Sequence, residues 1–364
     1  MRVRTVTLLS FLLSLRASCS PAATWRRGCL GLSLGLLVSH PALAAPPPLQ
    51  ANVVHGAVPV GPGHGARPAA AAAATPTLRP PAGEPGRVPG QTAPVPQDLP
   101  AWCKNIAERL VDLPLAQCEA AGLQPGTGRS VRGVPLWFRD VLPAKGPARL
   151  RVLVLGGIHG DEGASVTLVM DWLNRAVDSA DGPIHWRMAP LVNPDGLLRK
   201  PATRVNARGV DLNRNFPTHE WDKNAQPYWV SRTGRDPRRY PGPHAMSEPE
   251  TRWVQRQLEE FQPNLIVSVH APYGVLDFDG PPPPPDKLGN LYLDQVGIYP
   301  GSLGNYGGVM RRVPVVTLEL KSARTVSARD VSAMWDDLRG WIDRRLIDVA
   351  QQGPTVAGPP RKPS

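Results

Sequence analysis

LVLGGIHGDEGAS, Leu153–Ser165, is the stretch whose reading decides the fold of this chain. An apolar run of strand character ends in Gly156 and Gly157 and turns through His159 and Glu162. It then enters SVTLVMDWLNRAV (165–177), whose apolar residues recur at helical spacing. Strand, glycine-rich turn and helix in that order form one α/β unit. The same texture continues outward in both directions. Strand-like runs lie at VPLWF (134–138), RVLVLGG (151–157), HWRMAPLVN (185–193), NLIVSVH (264–270) and VPVVTLEL (313–320). Further helices are expected at NIAERLVDL (105–113), SEPETRWVQRQLEEF (247–261) and DVSAMWDDLRGWIDRRLIDV (330–349). In the second of these, Ser247 reads as the N-cap and Glu250 as its capping-box partner. Continuous apolar strands alternating with helices call for a sheet covered on both faces. The expected fold is α/β: a single domain over residues 101–350 with a mixed, mostly parallel central sheet flanked by helices.

In such sheets ligands bind beyond the carboxyl ends of the strands. His159 and Glu162 follow one strand, NPDG (193–196) a second, His270 closes a third and Glu319 lies late in a fourth. Two imidazoles and one carboxylate offer three N and O donors and leave a fourth position for water, as a catalytic zinc requires. Two imidazoles are poor ligands for calcium, which prefers oxygen. Zinc would lower the pKa of its water to about 7, and Glu319 is the carboxylate available to take the proton. A helix beginning at the loop would let His159 and Glu162 turn toward one point. Glycines at 156, 157, 160 and 163 let the backbone approach a metal and substrate closely. The next segment, NPDGLLRKPATRVNARGVDLNRNFP (193–217), holds Arg199, Arg204, Arg208 and Arg214 with Asn206, Asn213 and Asn215. Arginine is suited to a bidentate grip on a carboxylate.

GGIHGDE, NPDG, RVNARGVDLNRNFP, SVH and VTLEL, in this order, resemble the zinc carboxypeptidases of the carboxypeptidase A superfamily. Within it, RVNARGVDLNRNFP (204–217), SEPET (247–251) and PGSLG (300–304) are similar to the bacterial murein peptide amidases. The resemblance spans roughly Arg129 to Ala323. It implies one zinc ion held by His159, Glu162 and His270, with Glu319 as the general base that activates the zinc water. It further implies Arg204 at the oxyanion, Asn213 and Arg214 on the substrate's terminal carboxylate, and Leu303 lining a specificity pocket. The family's mobile tyrosine would be Tyr299, with Tyr306 as a substitute. The implied substrate is a short peptide, for the murein amidase type the γ-D-glutamyl–meso-diaminopimelate bond of peptidoglycan peptides. Asp277 and Asp279, just before five prolines (281–285), are candidates to meet the ammonium end of diaminopimelate.

The flanks read differently. Residues 1–44 carry a basic pair (Arg26, Arg27), an apolar GCLGLSLGLLV and the small-residue site ALA, the pattern of a signal peptide. Its apolar runs fall short of the ~18 residues of a membrane span. Residues 45–100 are rich in Pro, Ala and Gly, with five charged residues and no hydrophobic period, a disordered tether; residues 351–364 read as a tail. Residues 1–44 hold five of the 41 basic residues and no acid, so 36 basic groups remain against 30 acidic. A net +6 without a dense basic run argues against nucleic acid as partner. Cys103 and Cys118 stay behind the signal, and in an exported chain a pair 15 apart is most simply a disulfide. The expectation is a periplasmic or secreted hydrolase without stable membrane insertion. Two other readings are a zinc deacylase of the aspartoacylase or succinylglutamate desuccinylase type, and a non-catalytic peptidoglycan-binding protein. The longer GVDLNRNFP and PGSLG motifs disfavour the first, and the retention of Glu319 and all three ligands the second.

Overall fold

The computed structural model describes residues 95–180 and 182–347. The signal peptide, the tether up to residue 94 and the tail expected from the sequence lie outside these residues. Among the described residues the fold has seven α-helices and nine strands, with short 3₁₀- and π-helical turns between them. The helices are α1 (Leu99–Ala107), α2 (Leu115–Ala120), α3 (Gly163–Asp178), α4 (Pro194–Leu198), α5 (Trp221–Arg232), α6 (Pro249–Phe261) and α7 (Ala328–Ile342). The strands are β1 (Gln124–Arg129), β2 (Pro135–Val141), β3 (Leu150–Leu155), β4 (Ile184–Ala189), β5 (Leu265–His270), β6 (Val275–Asp279), β7 (Lys287–Leu288), β8 (Leu291–Tyr292) and β9 (Val315–Glu319).

Seven strands form one sheet in the order β1-β2-β4-β3-β5-β9-β6, and β7 and β8 pair separately. The four central strands, β4, β3, β5 and β9, are parallel; β2 and β6 run against them at either side. This is the mixed sheet expected from the sequence. β3 shows why its strands read as unbroken apolar runs. Val152 and Val154 enter the core on one face with Trp172, Leu338 and Trp341, while Leu153 and Leu155 enter the other with Trp253, Val254 and Phe261. Helices α3 and α7 cover the first face and α6 the second, so the apolar side chains of the strand are removed from water.

The order of connections places the site. From β3 the chain passes through α3 to β4 on one side, whereas from β5 it passes to β6 and then β9 on the other. The crevice between the carboxyl ends of β3 and β5 is therefore the topological switch point, where the loops leave in opposite directions and open a space.

Three local expectations are corrected. The helix expected over 105–113 runs instead from Leu99, capped by Asp98 Oδ1 accepting from the Ala101 N–H at 2.9 Å, and ends at Ala107. Pro100 in its first turn is tolerated because its missing N–H would be unpaired there anyway, so the tether read to residue 100 stops short of this helix. The Ser247–Glu250 capping box does not form. α6 begins after Glu248 without a side-chain cap, Ser247 Oγ donates to Glu248 Oε1 (2.8 Å), and Glu250 turns inward. Last, α7 stops at Ile342 rather than 349 and passes into a π-helical turn over Asp343–Ile347.

Candidate metal centre

His159 and Glu162 occupy the turn between β3 and α3, just ahead of the helix rather than on it. That turn is compressed. Gly157 has φ +56°, and a Cβ at Gly160 would overlap the Gly196–Leu197 peptide of α4. The glycine at 160 thus serves a backbone-to-backbone contact, and the loop is clamped between α3 and α4. His270 ends β5, the neighbouring strand across the switch point.

The three residues are 2–4% exposed and their ligand atoms all lie within 4.8 Å of one another. His159 Nδ1 is 3.1 Å from His270 Nδ1 and 2.8 Å from Glu162 Oε1, and His270 Nδ1 is 3.2 Å from Glu162 Oε2. The outer ring nitrogens are each engaged elsewhere, His159 Nε2 with Asp211 Oδ1 (3.1 Å) and His270 Nε2 with Ser268 Oγ (3.0 Å). Holding the outer nitrogens turns both Nδ1 atoms inward, the arrangement that orients imidazoles toward a metal. Two inward imidazoles and a carboxylate, buried together, fit one zinc ion with a position to spare.

Asp211 organises this centre and was not singled out by sequence reasoning. Its Oδ2 accepts from Arg204 Nε at 3.0 Å, and its Oδ1 accepts from the Asn213 N–H at 3.0 Å. Burial works against its charge, but Arg204 and His159 outweigh burial and hold it well below the usual carboxylate range. The available signal was the acid of GVDLNRNF, adjacent to the residues that were chosen. Glu162 is opposed by burial in the same way and depressed by both histidines. For His159, burial and Arg204 disfavour a proton, yet Glu162 and Asp211 prevail and raise its pKa. Arg204 also reaches Glu162 Oε1 at 3.3 Å, so its guanidinium stands beside the centre.

Glu319 closes β9, and the parallel register pairs it directly with His270. It is 9% exposed, and its Oε2 is buried without a hydrogen-bond partner among the described residues. Burial raises its pKa, Glu162 adds to this, and the histidines and Arg204 oppose it.

Asn213 and Arg214 lie one turn beyond Asp211. Asn213 Oδ1 accepts from the Leu303 N–H (2.8 Å), and the Arg214 guanidinium stacks 4.5 Å over the Tyr299 ring. Burial and the neighbouring positive charges of Arg204 and Arg239 lower the Arg214 pKa, with Asp211 working the other way. Tyr299 itself donates its hydroxyl to Val296 O at 2.8 Å. Two expectations change here. Leu303 is 1% exposed and packs with Ile158, Leu212 and Phe216, so it meets the site through its backbone N–H and not as a pocket wall. Tyr306 is a core residue stacked on Phe216 at 5.8 Å, with Arg311 Nη1 donating to its hydroxyl (2.7 Å).

SEPET also has a purpose the sequence did not disclose. Asn206 Nδ2 donates to Glu248 Oε2 (2.7 Å) and Glu250 Oε2 (3.2 Å), and Glu250 Oε1 accepts from the Val131 N–H (3.0 Å). The loop carrying Arg204 is anchored to the start of α6 through these bonds. Asp277 and Asp279 alternate with the buried Leu276 and Phe278, and so share the face of Val275, which pairs with Glu319. Asp277 accepts from the Val296 N–H (3.2 Å), and burial together with Asp277 pushes Asp279 up to about 6. Cys103 and Cys118 form a disulfide that joins α1 to α2.

The chain is similar to proteins of known family. The sequence profile of the zinc carboxypeptidase family matches residues 125–278, which include all three candidate ligands. Murein peptide amidase A of Vibrio campbellii is 33% identical over 201 residues, 53% of this chain and 77% of that protein. Its counterpart in Escherichia coli K12 is 36% identical over 167 residues, 44% of this chain, and the matched region spans 65% of the relative's length. Among solved structures, the murein-tripeptide amidase MpaA of E. coli O157 covers 60% of this chain and 92% of its own at 29% identity, with a TM-score of 0.45.

Proposed function

This chain belongs to the zinc carboxypeptidase family, and from that premise we infer that it is a hydrolase releasing the C-terminal residue of a short peptide. The observation that carries the reading is the convergence of His159 Nδ1, His270 Nδ1 and the Glu162 carboxylate, with both outer ring nitrogens tied back. A zinc ion held there would supply a Lewis acid and a bound water of near-neutral pKa. The remaining work falls to the chain's own side chains. The unpartnered oxygen of Glu319 accepts a proton from the attacking water and passes it to the leaving amine. Arg204, fixed by Asp211, presents its guanidinium to the oxygen that gains charge, at no cost in reorientation during the reaction. Asn213 and Arg214 hold the terminal carboxylate of the peptide and orient it for attack.

The relatives are named murein peptide amidases, which supports a peptidoglycan-derived substrate cut between γ-D-glutamate and meso-diaminopimelate. Asp277 and Asp279, on the Glu319 side of the sheet, would receive the ammonium group of the leaving residue. An exported location is supported by the signal-like residues 1–44 and by the Cys103–Cys118 disulfide. Among the described residues no helix is long and apolar enough to cross a membrane. The test is mass spectrometry of L-Ala-γ-D-Glu-meso-diaminopimelate incubated with the zinc-loaded protein. Free diaminopimelate is expected and should be lost in Glu319→Gln. Intact peptide with zinc bound would exclude this substrate, and turnover of N-acyl amino acids instead would favour the deacylase.

A further inference from the structure

Beside the metal centre lies a cavity of about 220 Å³ whose walls include Asp161, Glu162, Arg204, Arg238, Arg239 and Tyr273. Asn213, Arg214 and Leu303 are not among its walls. On the functional reading above, Asn213 and Arg214 hold the terminal carboxylate of the leaving part of the peptide. A cavity that starts from Glu162 and Arg204 and excludes them therefore takes the other part, the acyl residue whose carbonyl is attacked.

The charges in this cavity are unequally satisfied. Arg204 is engaged by Asp211 and Glu162, and Arg238 Nη2 pairs with Asp161 Oδ2 at 2.8 Å. Arg239 has one polar partner among the described residues, Asp236 Oδ2, which lies 3.5 Å from its Nε. That carboxylate is already in use, since Asp236 Oδ1 accepts the Arg238 N–H at 2.9 Å. The Arg239 side chain is 42% exposed, so the long contact is a weak surface pair. Its guanidinium keeps only that weak contact among the described residues and can turn to a bidentate ligand. The short segment that carries it is nevertheless held firmly. Trp229 Nε1 donates to Asp236 O (2.7 Å), Trp229 packs edge-on against Tyr240 at 4.9 Å, and the Asp211 N–H donates to Tyr240 O (2.8 Å). Through Tyr240 the position of Arg239 is tied to the same aspartate that orients His159 and Arg204.

We propose that Arg239 receives a second carboxylate carried by the acyl residue, and thereby selects peptides in which that residue is acidic. This rests on the carboxypeptidase reading and sharpens it. A γ-linked glutamyl residue keeps its α-carboxylate free, three carbons from the attacked carbonyl, whereas its α-amide has the same shape without the charge. Tyr273, 59% exposed at the rim, offers an apolar surface next to the arginine for the rest of the acyl chain.

The test compares kcat/KM for L-Ala-γ-D-Glu-meso-diaminopimelate with that for the peptide whose glutamyl α-carboxylate is amidated, using the zinc-loaded full chain. A charge-assisted contact predicts a preference of about 10- to 100-fold for the carboxylate. In Arg239→Gln the preference should fall to within about threefold, entirely through loss on the acidic peptide, and Arg239→Lys should retain part of it. Calorimetric binding of both peptides to Glu319→Gln should show the same preference without turnover. An unchanged preference in Arg239→Gln, or equal use of both peptides by the wild type, would overturn the assignment. Failure of the wild type to cleave either peptide would instead remove the reading on which the assignment depends.

Discussion

Glu319 carries a buried carboxylate oxygen that accepts no hydrogen bond among the described residues, beside three side chains that converge on one point. An orphaned acceptor of this kind costs stability and is kept where chemistry uses it. Replacing Glu319 by Gln should lower kcat by about 10³-fold while zinc binding, read by calorimetry, stays near wild type. Equal loss of metal would show that the residue is structural. Asp211→Asn tests the orienting layer. It should weaken zinc affinity by about 10- to 100-fold, because His159 Nε2 would lose its anionic partner. At this scale the candidate ligands and the candidate base stand out in the sequence, since HxxE, His270 and Glu319 each end a recognisable strand or turn. Asp211 was not, because an acid inside a basic loop looks like any ion-pair partner until the fold shows that it touches both His159 and Arg204. Leu303 and Tyr306 failed for the opposite reason. Their sequence neighbours suggest a cleft, and only packing reveals that both belong to the core.

The start of α6 shows how an element can contradict its own local signal. Ser247 and Glu250 have the spacing of a capping box, yet tertiary partners at Asn206 and Val131 claim Glu250 first. Glu250 is fully buried, and burial, with Asp195 nearby, raises its pKa from 4.5 to about 7. A folded-state pKa above the unfolded one means that this group contributes its full stability below about pH 4.5. That contribution is lost as pH rises through about 7. The loss is on the order of 3 kcal/mol. Glu250→Gln should therefore flatten the dependence of unfolding free energy on pH between 5 and 8, measured by denaturant titration. A slope identical to wild type would show that Glu250 is ionised throughout.

The whole molecule is braced at the edge remote from β9. The Cys103–Cys118 bridge closes the α1–α2 hairpin, from which Arg109 donates to Leu197 O (3.2 Å) and Arg199 O (2.8 Å) beside α4. Because α4 packs on the Gly160 turn, the hairpin supports the metal loop at second hand. Replacing both cysteines by serine should cost about 3 kcal/mol, a melting shift of roughly 6–12 °C, and should be read by calorimetry under oxidising conditions. A shift below 2 °C would mean that the hairpin contributes through packing alone. Chelation should likewise lower the melting temperature, and excess zinc restore it, by the mass action of a ligand that binds only the folded state.

The sequence by itself marked the central strands β2, β3, β4, β5 and β9 and the helices α3, α6 and α7, because period and apolar content act locally, but not the short elements or the exact ends. It also determined which residue types were available to hold a metal and move a proton. Only the tertiary structure decided which of them meet, because the reversal of strand order between β3 and β5 sets the space into which His159, Glu162 and His270 turn. It also decided that Asp211 and Arg239 share that space, since their loops, remote from the ligands along the chain, are brought there by hydrogen bonds no local pattern encodes.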